Sequence, residues 1–210
     1  MTALWGPLGW MTLHSISLNY PDSPSEGDKV IVKQYINSFA DCISCPSCKS
    51  HFIGMFTSYI RQTPSWSNSR ADLFLFIARA HNTVNRRLDK PILRSVADCL
   101  EAIKTNSANT SLREFRQKYI SYLARNWSQY QNADGRFMMT SVRSMEKINS
   151  EYWNLREFVD TNIPEGDVLQ FIEDRSIVRN GIPGFPSIQR GTQINVGFKI
   201  SGGRLRLGNR

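Results

Sequence analysis

Residues 42–60 read CISCPSCKSHFIGMFTSYI, and this stretch decides the fold of the first half of the chain. Its second part spaces large apolar side chains at i, i+3, i+4, i+7 and i+8, which is the spacing of one buried helix face. Pro46 follows Cys45 directly, and proline suits the first position of a helix because the N–H that it lacks would have no intrahelical partner there. The pattern predicts a helix that begins at the cysteines and buries Phe52, Met55, Phe56, Tyr59 and Ile60.

The segments on either side predict four further helices. An apolar run at mixed helical spacing ends at Pro21, and Ser25 can cap the helix that follows it. A later run of strong helix formers continues until Lys90-Pro91, where proline stops it. The first half is therefore predicted to be all-α, with these four helices at about 5–20, 25–39 or beyond, 70–88 and 92–104.

A polar stretch, KTNSANTS, separates these helices from the rest of the chain. After it, Ser111 and Glu114 match a capping box, in which each side chain caps a backbone N–H of the other residue. The apolar spacing that follows predicts a helix toward Trp127. We expect residues 1–104 to form one domain and residues 105–210 to form a C-terminal region of different character.

The C-terminal region gives weaker patterns. Residues 128–145 are polar and have no clean period, while 146–160 and 165–174 are weak helix candidates. Apolar and polar residues then alternate over 194–207 around a Ser-Gly-Gly turn, which is typical of a β-hairpin. We therefore expect this region to be mainly helical and to end in a small β-hairpin.

Composition and charge exclude several classes of protein. A chain of 210 residues with four cysteines can bury a core without disulfide staples, and it has no apolar stretch long enough to cross a bilayer. The net charge of +8 suggests nucleic acid, but residues 175–210 hold seven Lys and Arg and no Asp or Glu. Nucleic-acid binding is therefore expected only through this basic tail. We expect no membrane contact and, because no secretory leader is visible, a location in the cytoplasm.

The cysteines allow three chemistries. Cys42, Cys45 and Cys48 lie three apart, His51 follows three residues later, and Cys99 is distant. A Cys-x-x-Cys pair at a helix N-terminus suits redox chemistry, because the helix dipole stabilises a thiolate. A Cys3His zinc site is the second reading, and buried cysteines in a reducing cytosol are the third. Spacing alone leaves all three open.

The fourth predicted helix carries polar groups on one face. His81 and Asn85 lie four residues apart and Asn82 lies between them, so an imidazole and two amides share one side of the helix. Such groups need hydrogen-bond partners when they are buried. Cations follow at the end of this helix, where they suit a phosphate group: Arg86, Arg87 and Lys90.

Three motifs occur in order along the first half. They are Trp10-x-x-x-His14, then Cys45-Pro-Ser-Cys48-x-x-His51-Phe52, then His81-Asn82-x-Val84-Asn85-x-x-Leu88-x-Lys90-Pro91. Together they resemble the FAD-linked sulfhydryl oxidases of the Erv/ALR type, and the resemblance covers about residues 4–104. It implies a four-helix bundle with a short fifth helix, usually paired as a homodimer, that holds non-covalent FAD against the Cys-x-x-Cys pair.

The resemblance also implies roles for individual residues. Cys45 and Cys48 form the redox pair, with Cys45 meeting the substrate thiolate and Cys48 next to the flavin. A flavin needs apolar and aromatic walls with a few polar groups, and its diphosphate favours cations. No residue is expected to hold a metal. The residues implied in FAD binding are Gly6, Trp10, His14, Tyr20, His51, His81, Asn82, Val84, Asn85, Leu88 and Lys90.

In this interpretation the protein oxidises dithiols to disulfides and passes the electrons through FAD to molecular oxygen, which becomes hydrogen peroxide. The implied substrate is a dithiol protein or a thioredoxin-like carrier. The compact arrangement resembles viral members of the family, whose setting is the host cytoplasm or the virion. The alternative is a zinc-stabilised helical module whose basic tail binds nucleic acid, although this leaves the motif in the fourth helix unexplained.

The chain departs from the family pattern at three places. Pro7 stands where an arginine is common. Ala78 stands where the family has one cysteine of a structural disulfide, whose partner would lie near Arg94 or Ser95. No cysteine follows Cys99, so no second Cys-x-x-Cys is present to shuttle electrons. We therefore expect the bundle to rely on packing and substrates to reach the core pair directly or through a carrier.

Overall fold

The computed structural model describes residues 2–156 and 161–173 and, separately, two strands at 198–201 and 204–207. Residues 2–156 contain helices and no strand, as predicted for the first half, and the last helical element is a 3-10 turn, Trp153–Leu155. All five helices predicted for the first half are present, although the fifth begins at Val96 rather than near 92. The helices are α1 Thr2–Asn19, α2 Glu26–Asp41, α3 Pro46–Gln62, α4 Arg70–Arg87, α5 Val96–Asn106, α6 Leu112–Trp127 and α7 Ala133–Glu151.

Serine side chains fix where four of these helices begin. The Ser25 hydroxyl accepts a hydrogen bond from the backbone N–H of Asp28 at 3.2 Å, and the Asp28 carboxylate accepts one from the Ser25 N–H at 2.8 Å. This is the capping box, which satisfies N–H groups that have no intrahelical partner and is worth about 1 kcal/mol. The predicted box at the start of α6 is also present. The four capping serines are Ser25, Ser69, Ser95 and Ser111.

Helices from both halves of the sequence share one hydrophobic core. Helix α1 packs against α4 and α6, α2 packs against α3 and α7, and α6 packs against α7. Leu13 and Ile36 from the first half meet Tyr119 and Trp153 from the second in the main cluster of buried residues. The domain boundary predicted at residue 104 stays a prediction, because helices on both sides of it contribute to this core.

Helix α7 runs through residues 133–145, although no clean helical period is visible in that part of the sequence. The residues on its buried face explain why no period is visible. Three of the five buried residues are Gly135, Ser141 and Asn149, so small and polar side chains stand where an apolar stripe would be expected. The candidate at 146–160 is helical only to Glu151, and its last four residues lie outside the described residues.

The helix candidate at 165–174 is wrong for its described residues. Residues 161–173 contain no helix and run as irregular, extended chain across α3 and α4. Side chains of those helices hydrogen-bond to the backbone of this segment, so its N–H and C=O groups find partners without forming a helix. Residue 174 lies outside the described residues.

The chain divides into two compact units, Met1–Val178 and Arg179–Arg210. In the second unit, strand β1, Phe198–Ser201, pairs antiparallel with strand β2, Arg204–Leu207, and Phe198 lies opposite Leu207. Other residues of the predicted hairpin, including 194–197, lie outside the described residues, so the hairpin stays a prediction. Among the described residues no helix is long and apolar enough to cross a membrane.

Candidate active site

Helices α1 to α5 surround a cavity of about 620 Å³, a volume typical of small-molecule and cofactor sites. Helices α1, α3, α4 and α5 present residues at helical spacing, and α2 contributes Phe39. Trp10 and His14 lie one turn apart on α1, and His81 and Asn85 lie one turn apart on α4. Aromatic rings supply much of the wall, since Phe52 of α3 lies 6.4 Å from Trp10 between ring centres. The cavity is therefore suited to a ligand with a flat apolar part.

Cys45 and Cys48 form a disulfide at the first turn of α3, with their Cα atoms 5.2 Å apart. Cys45 is the residue that caps the helix, and Pro46 occupies the first helical position, as predicted. The backbone N–H of Cys48 donates to Cys45 Sγ at 3.3 Å, so an N–H group at the positive end of the helix faces this sulfur. Cys48 lines the cavity and Cys45 does not, which gives the two halves of the disulfide different neighbours.

Trp10, His14 and His81 form a compact group on the cavity wall. The Trp10 and His81 rings are stacked, 4.3 Å apart and 10° from parallel. His14 Nε2 and His81 Nδ1 lie 3.1 Å apart and share a hydrogen bond in which one ring donates and the other accepts. Stacking and hydrogen bonding together fix the orientation of the His81 ring.

Both imidazoles of this group are neutral at pH 7. Burial lowers the pKa of His14 well below 6.5, and the nearby His81 lowers it further. Burial also lowers the pKa of His81, to about 4, with a smaller contribution from the charge of Lys90. His14 Nδ1 is buried and has no hydrogen-bond partner among the described residues. A buried polar atom without a partner is costly, and because His14 lines the cavity, a ligand bound there would be near enough to supply the missing bond.

Positive charge collects on the part of the wall built by the end of α4. Arg87 and Lys90 line the cavity, and both are exposed. The backbone N–H of Lys90 donates to Asn85 O at 2.9 Å, and Asn85 Nδ2 donates to Pro91 O at 3.1 Å. The turn after α4 is thus fixed by hydrogen bonds, and it holds two cations at the mouth of an otherwise apolar and aromatic site, where they suit an anionic group.

Most residues implied by the sequence motifs meet at this cavity. Cys45 lies next to it through the disulfide, and Tyr20 and Asn82 do not line it. These residues line it: Gly6, Trp10, His14, Cys48, His51, His81, Val84, Asn85, Leu88 and Lys90.

Tyr20 and Asn82 hold the structure behind the wall. Tyr20 is fully buried and its hydroxyl donates to Ser67 O at 3.0 Å. Asn82 is also buried, and its side-chain amide donates to the backbone oxygens of Leu93 and Val168 at 2.8 and 2.9 Å. Their hydrogen bonds are made to backbone groups, and a contact with a cofactor stays a prediction for both.

Sequence reasoning missed the wall that α5 provides. Cys99, Ala102, Ile103 and Asn106 line the cavity at i, i+3, i+4 and i+7. That spacing is visible in the sequence, but from it we predict only a short fifth helix and no cavity residue. Phe39 from α2 also lines the cavity, and it is not among the residues that the sequence motifs implicate in binding.

Of the other two readings of the cysteines, the zinc site gains no support from the described residues, and burial as inert thiols applies only to Cys42 and Cys99. Cys45 and Cys48 are joined to each other, while Cys42 and Cys99 are buried free thiols. Burial raises the pKa of Cys42 to about 12 and that of Cys99 to about 11, so both are protonated at pH 7. No group of three or more His, Cys, Asp or Glu side chains that could hold a metal ion occurs in the part of the chain that the structure describes.

Part of this chain is similar in sequence to known proteins. Protein 096R of Invertebrate iridescent virus 3 is 37% identical over 92 residues, which are 43% of this chain and 60% of that protein. The mitochondrial FAD-linked sulfhydryl oxidase ERV1 of Saccharomyces cerevisiae is 35% identical over 86 residues, 41% of this chain and 43% of that one. The FAD-linked sulfhydryl oxidase of African swine fever virus, isolate Tick/Malawi/Lil 20-1/1983, is 33% identical over 89 residues, 42% of this chain and 71% of that one.

The chain thus spans less than two thirds of the first two relatives and more than two thirds of the third. No solved structure matches it. The sequence model of the Erv1/Alr family matches residues 8–107, which include the disulfide and all three motifs of the cavity. From that match and from the swine fever virus relative, the chain belongs to the Erv1/Alr family.

Proposed function

We propose that this chain is an FAD-linked sulfhydryl oxidase, which converts two thiols and molecular oxygen into a disulfide and hydrogen peroxide. The observation that carries the proposal is the Cys45–Cys48 disulfide, which lies at the N-terminus of α3 with Cys48 on the wall of an aromatic cavity. A redox disulfide beside a cavity large enough for a cofactor is placed to pass electrons from substrate thiols to an acceptor bound in that cavity. The names of the relatives support the same activity.

The residues present fit FAD. The stacked Trp10 and His81 rings and the neighbouring Phe52 give flat apolar surface for an aromatic ring system. The unpartnered Nδ1 of His14 gives a buried polar atom that a ligand would satisfy. Lys90 and the other cation of the same wall suit a diphosphate. Shape, polarity and charge therefore all agree with this cofactor.

Bound FAD would supply the two-electron acceptor that links the Cys45–Cys48 dithiol to oxygen. The cavity residues that would hold it are those of the three sequence motifs together with the α5 wall. His14 and His81 bind as neutral rings, because a depressed pKa keeps a proton off both of them at pH 7. Neutral rings stack and hydrogen-bond without adding charge beside an apolar ring system.

The thiol chemistry follows from the different neighbours of the two sulfurs. A substrate thiolate attacks Cys45 Sγ, a new substrate–Cys45 bond forms, the Cys45–Cys48 bond breaks, and Cys48 leaves as a thiolate. The second substrate thiolate then attacks the substrate sulfur of this mixed disulfide, which releases the oxidised substrate and a Cys45 thiolate. The N-terminus of α3 favours both thiolates, which makes each sulfur a better leaving group.

The partners and the setting are parts of the same proposal. We propose a dithiol protein or a thioredoxin-like carrier as substrate, oxygen as final acceptor, and a homodimer as the working form. The nucleic-acid role assigned to residues 175–210 falls outside the described residues, apart from the backbone of two strands. Action in the host cytoplasm or in a virion is also proposed, since two of the three relatives compared are viral.

A visible absorption spectrum with oxygen uptake tests the proposal. The purified chain should be yellow and should consume oxygen when dithiothreitol is added. Replacing Cys48 by serine should keep the colour and lower oxygen uptake at least 100-fold, because no dithiol remains beside the cavity. A matched control is Cys42→Ala, which removes a buried thiol from the same loop that no step uses. Colourless protein from a cell supplied with riboflavin, or a fully active Cys48→Ser variant, would refute the assignment.

A further inference from the structure

Residues 161–173 form an extended segment, here called the strap, that crosses α3 and α4. The strap lies well beyond residues 8–107, the part of the chain that matches the family. It lines none of the 620 Å³ cavity. It nevertheless contacts residues behind two parts of the cavity wall, the side built by α5 and the loop that contains Leu93.

Side chains of α3 and α4 hold the strap by its backbone. Arg79 Nε donates to Asp167 O at 2.6 Å, and the same guanidinium donates to the Tyr59 hydroxyl at 2.8 Å, which fixes its position. Thr83 Oγ1 accepts from the Ile172 N–H at 2.9 Å. Because these hydrogen bonds are made to main-chain atoms of the strap, they fix its path independently of the identity of its side chains. Two further bonds of this kind run from Asn82 to Val168 O and from Ser58 to Glu173 O.

The side chains of the strap complete the second hydrophobic cluster. Ile163 and Val168 are 9% and 1% exposed and pack in the same cluster as Phe74, Ala78 and Val96. Three other members of that cluster line the cavity: Met11, Cys99 and Ile103. The strap is thus the outer layer behind the α5 wall, and its removal would leave that wall with apolar surface exposed to water.

A single amide joins the strap to the loop after α4. Asn82 Nδ2 donates to Leu93 O at 2.8 Å and to Val168 O at 2.9 Å, while Asn82 Oδ1 accepts from the Leu93 N–H at 3.1 Å. Leu93 lines the cavity. Since Cys42 and Cys99 are free thiols, no disulfide ties this loop to α4 within the described residues. The Asn82 amide and the strap packed against it hold the loop instead.

We propose that the strap is a positioning element of the cofactor cavity, which holds the α5 wall and the Leu93 loop in the arrangement that binds FAD. The proposal rests on the proposed function. Because binding and strap docking favour the same arrangement of the wall, each must strengthen the other to the same degree. A bound cofactor should therefore hold the strap down, and a docked strap should tighten cofactor binding.

The experiment compares two full-chain variants that place the same carboxylate on the strap. Val168→Glu puts it at a buried position and should undock the strap, while Gln170→Glu puts it at an exposed position two residues away. FAD affinity is measured on apoprotein by the quenching of flavin fluorescence. We expect at least tenfold weaker binding for Val168→Glu and less than a twofold change for Gln170→Glu.

Hydrogen exchange of the unaltered apoprotein gives a second measurement that needs no variant. Addition of FAD should slow exchange in the peptide that contains Val168 and Ile172 at least fivefold more than in a peptide of α7, because stabilisation of the whole fold alone would slow both peptides to the same degree. Unchanged exchange, or unchanged FAD affinity in a folded Val168→Glu variant whose strap is sensitive to protease, would overturn the inference and leave the proposed function standing. Failure of the unaltered chain to bind FAD at all would overturn both.

Discussion

Arg116 of α6 is the residue whose removal best tests whether the helices beyond residue 104 are an integral part of the fold. Its guanidinium is 2% exposed and has no carboxylate partner among the described residues. Nε donates to Asn149 Oδ1 of α7 at 2.8 Å, and Nη1 donates to Asn19 Oδ1 of α1 at 3.0 Å. Nη1 also donates to the Ser15 hydroxyl of α1. One side chain thus links three helices through neutral acceptors.

The magnitude follows from what Arg116→Ala leaves behind. Three amide oxygens and one hydroxyl lose a donor, the third amide oxygen being Asn154 Oδ1, to which Nη2 donates at 3.4 Å. Each such group costs about 1–3 kcal/mol when it is left unsatisfied in the interior. The net loss of stability is smaller than this sum, because burying a cation is itself unfavourable and the variant no longer bears that cost. The same burial lowers the pKa of Arg116. We expect a net loss of about 3–5 kcal/mol, a large fraction of the roughly 5–15 kcal/mol that a typical domain has.

Urea unfolding followed by tryptophan fluorescence measures this loss. With a slope of about 2 kcal/mol per M, the midpoint should fall by roughly 2 M. Arg113→Ala is the matched control, because it removes the same side chain from an exposed position one turn earlier on α6. A loss below 1 kcal/mol for Arg116→Ala would refute the reasoning and would mean that α6 packs on α1 without contributing to its stability.

Three further predictions follow from the site and from the charge distribution. The stability of the apoprotein should fall by about 3 kcal/mol between pH 6.5 and pH 4 through His81 alone, because the unfolded chain protonates this ring in that range while burial delays its protonation in the folded chain until about pH 4. The lowered pKa of His14 adds to the fall. Thermal unfolding across this pH range measures it. Replacing Trp10, whose ring stacks on His81 at 4.3 Å, by alanine should weaken FAD binding at least tenfold in a fluorescence titration, with Trp127→Ala as control. Deletion of residues 175–210 should change neither flavin content nor dithiothreitol oxidation, because the strap ends at residue 173, before the deleted tail. Loss of flavin in this variant would show that the tail belongs to the site.

Periodic sequence patterns predicted the helices of the first half and the parts of the cavity wall that lie on them. Residues that share a helix face in sequence stay together in space whatever the packing, so His81, Val84, Asn85 and Leu88 could be placed on one wall from their numbers alone. The position of the two cysteines at the start of α3 followed in the same way from Cys45-Pro46, whereas their pairing was implied by the family resemblance. The relative positions of residues close together in one helix are therefore what a sequence pattern predicts most directly.

Features that depend on contacts distant in sequence could not be predicted. Asn82 shares a helix face with cavity residues, but its amide turns to Leu93 and Val168, and only the folded chain brings Val168 there. Helix α7 has Gly135 and Ser141 on its buried face, and neither contributes a large apolar side chain from which a helical period could be recognised. The pattern at 165–174 predicts a weak helix, because nothing in that sequence shows that α4 side chains bind the backbone of residues 167–172.

The wall of the cavity also depends on a residue that lies outside the family match. Phe39 lines the cavity beside Phe52, 5.5 Å away between ring centres, and on another side its ring meets Tyr119 of α6 at 5.2 Å. Gly9 of α1 completes the enclosure, since a Cβ there would lie only 3.2 Å from the Phe39 ring and 3.5 Å from Tyr119. Residues 8–107 supply the surface that a ligand touches, whereas Tyr119 supports Phe39 from outside them. A chain ending at residue 107 would leave this ring without that neighbour, so we infer that the shape of the cavity requires α6 even though no residue of α6 lines it.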